Sequence, residues 1–123
     1  MNSVPVFFKA WIGGFVGPSY ELELVDGELH YRVFERGYEM HKNEVLTPND
    51  NDWRRFLSQV DAVSLWQWEP VYQGQPAPDG TTWFVHLEDG TRTIESKGLN
   101  LYPPLFTDYL RAVRALTGGR HFA

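Results

Sequence analysis

The stretch YELELVDGELHYRV, residues 20–33, decides the fold. Two runs of alternating apolar and polar residues flank Asp26-Gly27, the strongest short signal for a two-residue hairpin turn. With that turn, paired residue numbers sum to 53. Leu24 then faces Leu29, Leu22 faces Tyr31 and Tyr20 faces Val33, all on one side. On the other side Glu23 meets His30 and Glu21 meets Arg32. One face is apolar and the other pairs opposite charges, as a half-exposed antiparallel sheet requires. His30 thereby has a structural task beside Glu23, which lowers its value as a catalyst.

A second hairpin turns at Asp89-Gly90, between TTWFVHLE and TRTIESK. Trp83, Val85 and Leu87 take one face of its first strand, and Phe84, His86 and Glu88 the other. A two-residue turn would set Val85 opposite Ile94, Trp83 opposite Ser96 and Thr82 opposite Lys97. Residues 38–46 and 65–72 read as two further strands, and VPVFFKAWIGGFVG, residues 4–17, as a buried first strand. Two helices interrupt them. Trp53, Phe56, Leu57, Val60 and Val63 recur at helical spacing, with Thr47-Pro48 and Asp50 as the start signal. Phe106, Tyr109, Leu110, Val113 and Leu116 form the second stripe, after Pro103-Pro104 and before Gly118-Gly119. Both stripes are core faces. The expected fold is α+β: a mainly antiparallel sheet of about six to seven strands with two amphipathic helices packed on one face, in a single domain spanning residues 1–123.

Composition narrows function by exclusion. The chain has no cysteine, which removes thiol catalysis, thiolate metal sites and disulfides, and fits a reducing compartment such as the cytoplasm. A net charge of −5 argues against a nucleic-acid binder, and Arg111, Arg114 and Arg120 read as the solvated side of a helix. The first strand lacks a basic leader, is interrupted by Lys9, and falls short of the roughly 20 apolar residues of a membrane span. Aromatic residues make up 15% of the chain, a surplus that either fills a large core or leaves rings at an interface.

Catalytic signatures are missing. No G-x-S-x-G elbow, phosphate loop or dinucleotide fingerprint occurs, and Gly13, Gly14 and Gly17 precede no helix. His30, His41, His86 and His121 are scattered without metal-ligand spacing, so neither a metal nor a cofactor is expected. His86 is the histidine with a carboxylate, Glu88, on its own strand face, the arrangement of a general acid or base; a plain surface position beside Thr93 is the favoured account of it.

Pairing the second hairpin outward brings Asp79-Gly80 beside Leu99-Asn100. The pattern Trp66, Tyr72, Asp79, Gly80, Trp83, Gly98, Asn100, Tyr102, Pro103, written W…Y…DGxxW…GxNxYP, resembles that of small uncharacterised bacterial proteins. The resemblance covers roughly the second half of the chain and implies no activity. Gly98 suits unusual dihedrals, Asn100 a left-handed or Asx turn, and Tyr102-Pro103 a tight turn in which a cis bond is open. The same residues, Asp79, Trp83, Asn100 and Tyr102 with His86 nearby, are the candidate ligand pocket. The leading functional expectation is a non-catalytic domain that binds a protein partner or itself. The alternative is a small-molecule binder or minor enzyme at that pocket.

Overall fold

The computed structural model describes residues 4–14, 16–36, 39–78 and 80–123. Its strands are β1 (Phe7–Gly13), β2 (Ser19–Val25), β3 (Glu28–Phe34), β4 (Met40–Leu46), β5 (Val71–Gln73), β6 (Thr82–Glu88) and β7 (Thr93–Leu99). The helices are α1 (Asp50–Ala62) and α2 (Phe106–Leu116). The seven strands form one sheet in the order β4-β3-β2-β1-β6-β7-β5, antiparallel throughout except where β5 joins β7. This is the α+β architecture expected from the sequence.

The first hairpin has the register its alternation dictates: Leu24 pairs with Leu29, Glu23 with His30, Leu22 with Tyr31 and Glu21 with Arg32. Asp26 (φ 50°) and Gly27 (φ 80°) both occupy the left-handed region that a two-residue hairpin turn of this hand demands. β1 lies at the centre of the sheet, between β2 and β6, yet only alternate residues are core. Phe8, Ala10 and Ile12 are buried, while Phe7, Lys9 and Trp11 are half-buried on the other face.

The second hairpin departs from the expected register by two residues. Val85 pairs with Ser96, Trp83 with Gly98 and Thr82 with Leu99, closing a four-residue loop, Asp89 to Arg92. The cause is the Asp89 carboxylate. It accepts hydrogen bonds from the Thr91 and Arg92 N–H groups (2.9 and 2.7 Å) and from the Arg92 guanidinium, so the longer loop is the better satisfied one.

Three local expectations are also corrected. Residues 65–72 are not one strand: Leu65–Gln67 is a turn of 3-10 helix, and only Val71–Gln73 pairs. Three-residue periodicity brings Leu65 and Trp68 inward together. The α1 cap is Asn49 rather than Thr47, with Asn49 and Asp52 forming a reciprocal capping box. Gly98 has no left-handed dihedral, and no cis peptide occurs at Tyr102-Pro103.

Both helices reach the same alternate set of strand residues. Phe8 meets Trp53 and Phe56 of α1 at ring separations of 6.2 and 5.1 Å, and Trp83 meets Phe106 of α2 at 5.0 Å. Each fully buried side chain of this size contributes roughly 1.5–3 kcal/mol, so these stripes are a main source of stability. Gly118 and Gly119, with φ of 72° and 94°, end α2, and their N–H groups bond back to Ala115 and Arg114. The last residues return to the sheet, where the Tyr31 hydroxyl donates to the His121 carbonyl at 2.7 Å and Arg120 grips Glu44.

Candidate binding surface

The end of β7 carries most of the W…Y…DGxxW…GxNxYP residues, and they form a packing unit. Trp83 is 2% exposed, and its indole N–H donates to the Leu101 carbonyl at 2.9 Å. Its ring lies between Trp68, Tyr72 and Phe106. Gly98 is required by that ring, because a Cβ there would sit 2.2 Å from Trp83 Nε1. Asn100 (φ 51°) accepts from the Thr81 N–H at 2.8 Å and donates to the Gln75 carbonyl at 2.7 Å. Its amide thus binds the chain's own 75–81 segment to the strand end. The Tyr72 hydroxyl accepts from the Glu69 N–H at 3.0 Å. Trp66 stands apart, with the Arg92 guanidinium 4.2 Å over its ring.

These positions do not gather into one pocket with Tyr102 and His86. Tyr102 is exposed, rests against Phe106 at 4.9 Å and lines a different cavity of about 590 Å³ with Ile12 and Leu110. His86 lies on the opposite face of β6 from Trp83. Asp79 lies outside the described residues.

The second face of the sheet holds a different arrangement. Antiparallel and parallel registers align Val71, Lys97, Phe84, Trp11, Glu21, Arg32 and Asn43 in one row across six neighbouring strand pairings. Trp11 and Phe84 are direct cross-strand partners, and Phe34 joins them, its ring 5.4 Å from that of Trp11. Two open cavities, of about 620 and 660 Å³, lie over this face and share Lys9, Val71, Phe84 and Lys97. They form one trough running along β6 and β7.

Its charges are unevenly committed. Arg32 Nη1 bonds Glu21 at 2.7 Å and Glu23 at 2.8 Å. The Arg32 hydrogen bond, helped by the charges of Lys9 and Arg32, holds the Glu23 carboxyl below the usual range against the opposing effect of burial. Lys9 lies 3.9 Å from Glu23 and 5.9 Å from the Phe84 ring centre. Lys97 has no carboxylate within ion-pair distance among the described residues. At the far end His86 places Nε2 3.3 Å from Glu88 and Nδ1 3.4 Å from Glu95, with the Phe7 ring at 4.6 Å. Each imidazole nitrogen already has a carboxylate. Among the described residues no group of three His, Cys, Asp or Glu side chains is arranged for a metal ion.

Of this face, sequence reasoning identified Phe84 and His86 and missed Lys9, Trp11, Phe34 and Lys97. The missed signal lies in FFKAWIG: a lysine at Lys9 marks Phe7 and Trp11 as sharing its exposed side. No protein-family model matches this chain, and no curated protein matches it. Among the described residues no helix is long and apolar enough to cross a membrane.

Proposed function

We propose that the chain is a non-catalytic binding domain, cytoplasmic and of bacterial origin, that takes a segment of a partner protein along the second face of its sheet. The observation that carries the reading is the cross-strand pair Trp11 and Phe84, two large rings kept half-buried on a sheet face, backed by the buried ring of Phe34 and beside a Lys97 ammonium that has no carboxylate partner among the described residues. Aromatic side chains flanked by a few charges are what protein interfaces concentrate. The trough favours an extended segment, because its two cavities join along β6 and β7 rather than enclosing one compact space. Its chemistry calls for an apolar side chain over Trp11 and Phe84, with an acidic group near Lys97. The cytoplasmic and bacterial parts rest on the missing cysteines and on the likeness of the W…Y…DGxxW…GxNxYP residues to small bacterial proteins.

A second reading, a small carboxylate ligand seated on the same rings, is supported by the 620 Å³ cavity, within the roughly 300–1,000 Å³ of typical ligand sites. The deciding experiment replaces Phe84 with a photo-crosslinking benzoylphenylalanine in living cells, with Arg55 on α1 as the control position. A protein adduct of defined mass at position 84, lost with Trp11→Ala and absent at position 55, is the expected result. Identical adducts at both positions, or none at position 84, would overturn the partner-protein reading. Ligand-detected NMR with naphthylacetate would then test the second one.

A further inference from the structure

The two edges of the sheet are built differently. At one edge β5 is only three residues long, with Pro70 just before it and Gly74 and Pro76 just after. Short strands and prolines are standard protection against edge pairing. At the other edge β4 runs for seven residues, pairs with no strand but β3 among the described residues, and is exposed along almost its whole length. Val45 is 46% exposed there. The bulge of this edge is confined to the Val33/Phe34 step, which leaves residues 42–46 in regular register.

The free groups of β4 can be assigned from the turn. In a two-residue hairpin Val25 and Glu28 exchange the closing hydrogen bonds, so alternation directs the N–H and C=O of Leu29, Tyr31 and Val33 toward β4. Their partners Leu46, Glu44 and Lys42 spend theirs on β3. Asn43 and Val45 therefore present theirs to the free edge, while His41 lies at the bulge.

We infer that β4 is the contact through which two copies of this chain pair, antiparallel, about a two-fold axis at Asn43. The sequence around that point is self-complementary. With Asn43 opposite its own copy, Lys42 of each chain faces Glu44 of the other, and Val45 faces His41. The lysine that ordinarily guards an edge meets a carboxylate under this symmetry and under no register shifted by a single pair. Glu44 is held by Arg120, at 2.6 and 3.0 Å, and already pairs with Lys42 of its own chain at 3.5 Å, so the two-fold contact adds the second chain's lysine to a carboxylate that is fixed in place. Isologous pairing of this kind closes on itself, so it yields a dimer and not a fibre. The inference is independent of the partner proposed for the open face, which lies on other strands.

The test is sedimentation velocity from low micromolar to millimolar protein. Wild type should show a concentration-dependent dimer. Lys42→Glu sets Glu against Glu and should weaken it about tenfold or more, as should Glu44→Lys, which sets Lys against Lys. An equimolar mixture of the two variants restores both pairs and should dimerise better than either alone. Asn43→Pro removes a donor aimed outward, leaves the β3 ladder intact, and should abolish the dimer while circular dichroism reports an unchanged fold. A wild type that stays monomeric at millimolar concentration overturns the inference. So does a dimer indifferent to both Lys42→Glu and Asn43→Pro. If Glu44→Lys unfolds through loss of Arg120, those two variants still decide.

Discussion

Gly98→Ala probes the packing at the end of β7 most directly. The added Cβ would lie 2.2 Å from Trp83 Nε1, 2.5 Å from its Cε2 and 2.7 Å from the Leu101 carbonyl oxygen, well inside the roughly 3.5–4.0 Å of a relaxed carbon contact. The indole cannot retreat, because Trp68, Tyr72 and Phe106 surround it. The backbone cannot retreat either, because Gly98 is paired with Trp83 on one side and Tyr72 on the other. Overpacking of this kind costs about 1–3 kcal/mol. Weakening the Trp83–Leu101 hydrogen bond adds about 1 kcal/mol. The lower entropy of the unfolded alanine chain returns up to about 1 kcal/mol. The net loss is about 2–3 kcal/mol, which for a chain of this length lowers Tm by about 10 °C. Urea titration and thermal melts followed by circular dichroism measure it. Trp83→Phe removes the two closest atoms, so the cost of Gly98→Ala should fall by at least about 1 kcal/mol in that background. A loss below about 1 kcal/mol in the wild type, or the same loss in both backgrounds, would refute the reasoning.

Asn100→Ala should cost about 1–3 kcal/mol, since it orphans the Thr81 N–H and the Gln75 carbonyl and leaves a left-handed backbone without its asparagine. Urea titration checks this, and a cost near zero would free the amide for a ligand. Acid should also destabilise the protein in a defined window. The Arg120 hydrogen bonds, working against desolvation, lower the Glu44 carboxyl from 4.5 to about 2. Burial pushes Asp89 up, but the Thr91 and Arg92 hydrogen bonds outweigh it and bring it from 3.8 to about 2. Both groups are depressed, so their contribution is complete above the unfolded values and is lost as pH falls from about 4.5 toward 2. Tm against pH should therefore slope through that window, and Asp89→Asn with Glu44→Gln should flatten it. An unchanged slope would mean that neither carboxylate is engaged.

The candidate site was less legible than the fold. Trp83, Gly98 and Asn100 stand out in sequence because their residue types are demanding, and a buried turn and a ligand pocket make the same demands. Only the partners separate the two cases. Asn100 spends both polar atoms on its own backbone neighbours, and Gly98 is there to give the Trp83 ring room. Trp11, Lys9 and Lys97, which line the proposed surface, are ordinary residue types, and they come together from strands that meet only after folding.

The two hairpins show why the fold nevertheless read correctly. Both contain Asp-Gly, but Asp26 adopts the left-handed turn conformation, whereas Asp89 captures the N–H groups of Thr91 and Arg92 and lengthens its loop. The residues after Asp-Gly made the difference, and they act through side-chain bonds that alternation does not encode. The longer loop moves the pairing by two positions. Because strand side chains alternate with period two, an even shift changes every neighbour and no face. Trp83, Val85 and Leu87 stayed in the core and Phe84 and His86 stayed outside, although each met a different partner from the expected one. A shift of one would have turned β7 over, placing charged Glu95 and Lys97 where Ile94 and Ser96 pack. Burial forbids that exchange far more strongly than it chooses between registers two apart. The core was therefore readable from alternation alone, while the contacts that make Gly98 and Asn100 indispensable depended on the loop.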